Sequence, residues 1–175
     1  MGKLVVILLL GTATAGGVGI WYTQTRAFYA PVDGPVTLSL WQGGAAAPLA
    51  ATDVRAIASP SSPLGFRACF DHALDPAEIA APPRPEAAPT VAPGWFDCFD
   101  AAAVGALLAA GEARAFTAYE NAAYGVDRIV ALGADGRGWA WHELNDCGRR
   151  TYDGTPVGQA CPDRAAFAPL TEGSL

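Results

Sequence analysis

Two histidines, four cysteines and scattered acids are the residues of this chain that could carry chemistry. His142-Glu143 opens like the H-E-x-x-H motif of zinc proteases, but the second ligand position holds Asp146 and WHELNDC reads as the end of a strand. A helix is what aims two such ligands at one metal, so neither a metal site nor a cofactor is assigned. Ser61 and Ser62 lie in a proline-flanked turn outside any G-x-S-x-G elbow, which makes them turn residues and not nucleophiles. The acid pairs Asp97/Asp100 and Asp71/Asp75 are accounted for as helix starts, where negative charge complements the helix dipole. A kinase reading fails as well, since the chain has no glycine-rich nucleotide loop. No catalytic residue is assigned, and the expectation is a non-enzymatic protein. A hydrolase built on His142, Glu143 and Asp146 is the one catalytic alternative.

Cys69, Cys98, Cys147 and Cys161 contain no C-x-x-C, which excludes zinc-knuckle, thioredoxin and haem-attachment spacings. An even number of cysteines behind an export signal reads as two disulfides in an oxidising compartment. Three pairings are open. Local closure favours Cys69–Cys98 and Cys147–Cys161, the second clasping a polar loop at a gain of about 3 kcal/mol in the chain-entropy model.

Trp95 and Phe96, together with Trp139 and Trp141 on one strand face, are candidates for a binding surface, with core filling as the stronger reading. Arg67 in FRACF would pair with Asp97 or Asp100 if Cys69 bonds Cys98, or else face outward from an edge strand.

These residues must be positioned by short elements. Strands are expected at Val36–Trp41, Phe66–Phe70, Arg114–Glu120, Gly125–Leu132 and Gly138–Leu144, the last two joined by a hairpin at Ala134-Asp135-Gly136-Arg137. Residues Asp53–Ala58 form a short element of undecided type. A brief helix is expected from Asp75-Pro76 to Ala80. A longer one is capped by Asp97, carries Val104, Leu107 and Leu108 on its apolar face, and stops at Gly111. The proline-rich stretch Pro82–Pro89 reads as an extended surface insertion. The fold class is α+β: an N-terminal transmembrane helix, then one small antiparallel sheet with one or two helices, braced by disulfides.

The transmembrane expectation rests on the start of the chain. Leu4 to Tyr22 is a charge-free run of nineteen residues, close to the ~20 a helix needs to span ~30 Å of hydrocarbon. Trp21 and Tyr22 sit at its far end, where amphipathic rings favour the interface, and Lys3 stays on the near side. The rival is a signal peptide cut after Ala13-Thr14-Ala15, which would strand Gly16–Tyr22 on the mature protein. Gly11, Ala15 and Gly19 recur every four residues and offer a face for close packing against another membrane helix.

The 175-residue chain is long enough for one domain, divided as anchor 1–26, linker 27–34, exported domain 35–164 and flexible tail 165–175. Its formal charge of −6 lacks the basic footprint of a nucleic-acid binder. The expected place is the inner membrane, crossed once, with the C-terminal domain in the periplasm. The expected role is that of an accessory or assembly subunit of a larger membrane protein complex, with no small-molecule ligand specified; the alternative is a free-standing periplasmic module that binds a small molecule, peptide or envelope polymer through the tryptophan surface.

At FYAPV (Phe28–Val32), SSPLGFRACF (Ser61–Phe70), APGWFDCFDA (Ala92–Ala101), YGVDRIVA (Tyr124–Ala131) and WHELNDCG (Trp141–Gly148) the chain resembles an uncharacterised domain-of-unknown-function family. Its members are membrane-anchored envelope proteins of Rhodobacter-like alphaproteobacteria. The resemblance implies one N-terminal membrane helix with a small exported domain, and it brings no catalytic residue with it.

Overall fold

The computed structural model describes residues 2–158 and 161–170. Helix α1, Gly2–Tyr22, buries none of its residues against the rest of the chain. With the π-helical turn Thr23–Ala27 that continues it, α1 is long and apolar enough to cross a membrane.

The body is an antiparallel sheet of six strands in the order β1-β4-β5-β8-β7-β6. These are β1 (Ala30–Pro31), β4 (Thr52–Ser59), β5 (Ser62–Asp71), β6 (Ala113–Ala123), β7 (Val126–Gly133) and β8 (Arg137–Leu144). A separate hairpin, β2 (Ser39–Gln42) with β3 (Ala45–Pro48), lies over one face. Helix α2, Ala101–Ala110, lies over the other.

Side-chain alternation sorts the sheet into two cores. Phe66, Ala68, Phe70, Phe116, Val130, Leu132 and Ala140 pack with Leu38, Leu40 and Leu49 under the hairpin. Ile57, Cys69, Ala115, Ile129, Ala131, Trp139 and Trp141 pack with Phe96, Phe99 and Val104 on the α2 side. β7 is buried along its whole length, as expected for an interior strand covered on both faces.

Both disulfides form as local closure suggests, Cys69–Cys98 and Cys147–Cys161. The first pins the segment before α2 to β5. The second closes the loop that follows β8.

Several local expectations change. Asp100, not Asp97, caps α2 by accepting the N–H groups of Ala102 and Ala103. Cys98 is tied to Cys69 and Phe99 is buried, so the helix starts only after both; Asp97 pairs instead with Arg55 at 3.1 Å. Gly111 ends α2 in the left-handed region at φ 74°, a conformation that costs glycine little. Asp75-Pro76 starts no helix: the Asp75 carboxylate accepts from Ala77 N–H at 2.8 Å and the chain makes a turn. The undecided element is β4, and the strand expected at Val36–Trp41 is observed as β2, Ser39–Gln42, which pairs with the return strand β3.

The proline-rich stretch is more than a surface insertion. It leaves the hairpin side at Ile79 and Ala81, passes the free edge of β6 and reaches the α2 side at Ala87 and Ala92. Pro83 bridges to Phe116, and Arg84 N–H donates to Ala115 O at 2.7 Å. A strap thus covers an edge that would otherwise offer unpaired backbone groups to another chain.

Residues 27–34 join α1 to the domain as packed chain. Ala30 and Pro31 pair with Ala58 and Ile57, and Tyr29 lies against the α2-side core. After Cys161, Phe167 meets Tyr124 edge-on and Leu170 N–H donates to Ala122 O at 2.8 Å; residues 171–175 of the expected tail lie outside the described residues.

Candidate functional site

The strap builds a polar cleft where it passes the end of the sheet. Thr117, Asp127 and Glu143 stand on the α2-side face of β6, β7 and β8, and Arg84 reaches across from the strap to all three strands. Its guanidinium donates to Thr117 Oγ1 at 3.3 Å and Asp127 Oδ2 at 3.2 Å, and pairs with Glu143 Oε2 at 3.5 Å. Glu143 also accepts from Trp141 Nε1 and from Ala88 N–H, each at 2.7 Å, so one carboxylate ties β8 to the strap.

The chain's two asparagines complete the site. Asn145 Nδ2 donates to Asp127 Oδ1 at 2.7 Å and to Asn121 Oδ1 at 2.9 Å. Its own Oδ1 accepts from Cys147 N–H at 3.0 Å, which connects the cleft to the second disulfide. Asn121 sits at φ 52° in an irregular stretch of β6, a strained position that asparagine tolerates better than most residues. The cavity above these groups measures about 390 Å³ and is rimmed by Asp146 and Arg149. Glu120 lies beside it; partial burial, and then the negative charge of Asp127, raise its pKa.

The arrangement is saturated. Each buried side-chain polar atom among the described residues has a hydrogen-bond partner, and Arg84 offsets the negative charge of Asp127 and Glu143.

His142 is elsewhere. Consecutive strand residues point to opposite faces, so His142 enters the hairpin-side core while Glu143 faces the cleft. His142 Nδ1–H donates to the Pro63 carbonyl at 2.5 Å, and its Nε2 accepts from Arg128 Nε at 3.1 Å. Phe66 stacks on the imidazole at 4.8 Å, and the Arg128 guanidinium lies 3.8 Å from the centre of the Phe66 ring. Burial, and then the adjacent Arg128 charge, push the His142 pKa down to about 3, so the ring is neutral. The trio His142, Glu143 and Asp146 is therefore not brought together. Among the described residues no group of three or more His, Cys, Asp or Glu side chains is placed to hold a metal.

The aromatic candidates are largely interior. Phe96, Trp139 and Trp141 are buried in the α2-side core, which removes the surface formed by the four rings. Trp139 and Trp141 face α2 and the disulfide because β8 is covered on that side. Trp95 is half-buried and does something else: its indole N–H donates to Thr25 O at 2.5 Å, and the Arg26 guanidinium lies 5.4 Å from its ring centre. One side chain thus joins the domain to the end of the membrane-length helix.

Arg67 does not pair with Asp97 or Asp100. It is buried and donates to the carbonyls of Leu64 (2.7 Å), Thr90 (2.8 Å) and Val91 (3.2 Å). Its cation holds the strap in place through neutral oxygens, and burial lowers its pKa. The small residues Gly11, Ala15 and Gly19 are exposed along α1, with nothing within 4 Å of the place a glycine Cβ would take.

Arg84, Asn121, Asp127, Arg128 and Asn145 were not singled out from sequence. The signal for two of them is rarity: in a chain with two asparagines, both occupy positions that demand an amide.

The model of a family described as "Family of unknown function (DUF6446)" matches residues 36–162, the greater part of the chain. No curated protein and no solved structure matches.

Proposed function

We propose that this chain, which belongs to the DUF6446 family of unknown function, is a single-pass inner-membrane protein that holds its disulfide-braced domain in the periplasm. There it works without a catalytic centre, as an accessory or assembly subunit of a larger membrane complex.

The observation that carries this reading is the junction at Trp95. A domain that captured ligands on its own would work as well on a slack tether. Here the tether is replaced by a hydrogen bond from Trp95 to Thr25, a cation over the same ring and the pairing of Ala30–Pro31 with β4. These contacts would restrain the domain on its helix, which suits a part that must sit in register with neighbours in and above the membrane. Disulfides at both ends of the sheet domain fit an oxidising compartment. Gly11, Ala15 and Gly19 would let a neighbouring helix approach α1 closely.

The test is gentle solubilisation of membranes from cells carrying a C-terminally tagged chain, with identification of what co-purifies in stoichiometric amount. A defined complex, lost when Gly11, Ala15 and Gly19 are all changed to Leu while insertion persists, is the expected result. Recovery of the chain alone, with α1 intact, contradicts the subunit reading.

A second reading has the Arg84 cleft in its favour. In it the protein is a free-standing periplasmic module that takes a small molecule, peptide or envelope polymer through polar groups of the cleft, with Trp95, Phe96, Trp139 and Trp141 outside the contact.

A further inference from the structure

The junction fixes how deep part of the domain sits. The charge-free run Leu4–Tyr22 rises about 28 Å as an α-helix, which matches the ~30 Å hydrocarbon layer. Thr25 lies three residues beyond Tyr22, roughly 5 Å further, within the ~5–7 Å headgroup layer on that side. Trp95 Nε1 is 2.5 Å from the Thr25 carbonyl, so the indole is at headgroup level too. Tryptophan is enriched at that depth, where its ring meets the apolar boundary and its N–H meets polar groups.

The same loop carries Val91 four residues before Trp95. Val91 is 77% exposed, more than any other large aliphatic side chain among the described residues of the sheet domain. Its backbone is not slack, since Arg67 grips the Thr90 and Val91 carbonyls from inside. Phe28, next to the π-helical turn, is 49% exposed. Beside this lip lies a cleft of about 460 Å³ lined by Val91, Ala92, Pro93, Phe96 and Phe99. The acids on its rim are engaged, Asp97 with Arg55 and Asp100 as the cap of α2. Arg26, exposed at the same level, is a cation suited to lipid phosphate.

We propose that Phe28 and the loop Thr90–Trp95 form a membrane-seated lip, with Val91 and the Trp95 ring in the headgroup layer of the bilayer that α1 crosses. The occupant of the apolar cleft beside Val91 is then lipid at the acyl boundary. The inference rests on the reading of α1 as an uncleaved membrane span. It adds that the domain lies against the bilayer on its α2 side and is not held clear of it.

The experiment uses the full chain in phosphatidylcholine nanodiscs, with a fluorophore on one introduced cysteine at a time and both disulfides verified by mass. Val91→Cys reports on the lip and Ile20→Cys on the span. Gln42→Cys, on the hairpin over the opposite face of the sheet, is the solvent control. Lipids carrying a nitroxide in the headgroup or high on the acyl chain should quench the Val91 label several-fold more than the Gln42 label, and acyl-chain nitroxides should quench the Ile20 label. A Val91 label that behaves like the Gln42 label, with Ile20 still quenched, overturns the lip and leaves the anchor standing. A Val91 label screened from aqueous quencher yet out of reach of the lipid nitroxides also overturns it, and points to a second copy of the chain. An Ile20 label beyond reach of the acyl nitroxides overturns both readings.

Discussion

Two side chains set how the protein responds to its conditions. His142 is neutral in the fold, with a pKa pushed down to about 3 by burial and Arg128, against 6.5 for a free imidazole. Above pH 6.5 the native and unfolded chains agree about this proton. As pH falls below that, the unfolded chain binds it and the native chain does not, so stability is lost down to about pH 3. The slope is about 1.4 kcal/mol per unit. Urea unfolding at pH 7 and pH 5 should show a loss of about 2 kcal/mol that is largely missing in His142→Gln. Equal losses in both proteins would show that the imidazole is accessible to protons. Arg84 is the second case. Removing it leaves Asp127 and Glu143 part-buried without their cation, so Arg84→Ala should cost about 1–3 kcal/mol. Combined with Asp127→Ala, the double-mutant cycle should give a coupling of about 0.5–3 kcal/mol; simple additivity would mean that the cleft is no network. His142 stands out in the sequence, but Arg84 and the charges that answer it and the imidazole do not. Arg84 lies among prolines, and Asp127 and Arg128 sit inside a strand whose apolar neighbours conceal that their charges are answered from other elements.

Strands are the elements most readable in the sequence, because alternation or a continuous apolar run states both the type and the burial of a segment. β5, β7 and β8 fall where FRACF, VDRIVA and WAWHE place them, and the turn at Ala134–Arg137 forms where expected. Local cysteine spacing likewise anticipates both disulfides. What composition does not encode is a destination. Pro82–Pro89 says "extended", but only tertiary contacts say that it wraps the β6 edge and delivers Arg84. Asp-Pro is as good a turn as a helix start, and at Asp75 the turn wins because no apolar periodicity follows. The disulfides belong to different elements and should fail differently. Loss of Cys147–Cys161, a closure spanning 14 residues, should cost about 3 kcal/mol and open the loop after β8 to protease while the sheet stays folded. Loss of Cys69–Cys98 should cost about 3–4 kcal/mol and loosen the segment that carries Trp95 and leads into α2. Limited proteolysis followed by mass mapping separates the two. Cleavage at the same sites in both variants would contradict the division.

At the scale of the whole molecule, the proposal is that the Trp95 junction holds helix and domain as one body with a defined face towards the bilayer. An acidic domain gains nothing from broad attraction to an anionic membrane, so its orientation must come from the junction: Trp95 on Thr25, Arg26 over the indole, and β1 against β4. The sequence holds Trp95 in plain view beside Gly94, yet gives no hint that its partner lies seventy residues earlier. The most direct test is a spin-label distance between Thr14→Cys in α1 and Gln42→Cys on the hairpin, measured by pulsed electron resonance on the full chain in nanodiscs. A single narrow distance distribution that broadens in Trp95→Ala is the predicted result. A broad distribution already present with Trp95 intact would contradict the account, because it would mean that the domain hangs from its helix and does not stand on it.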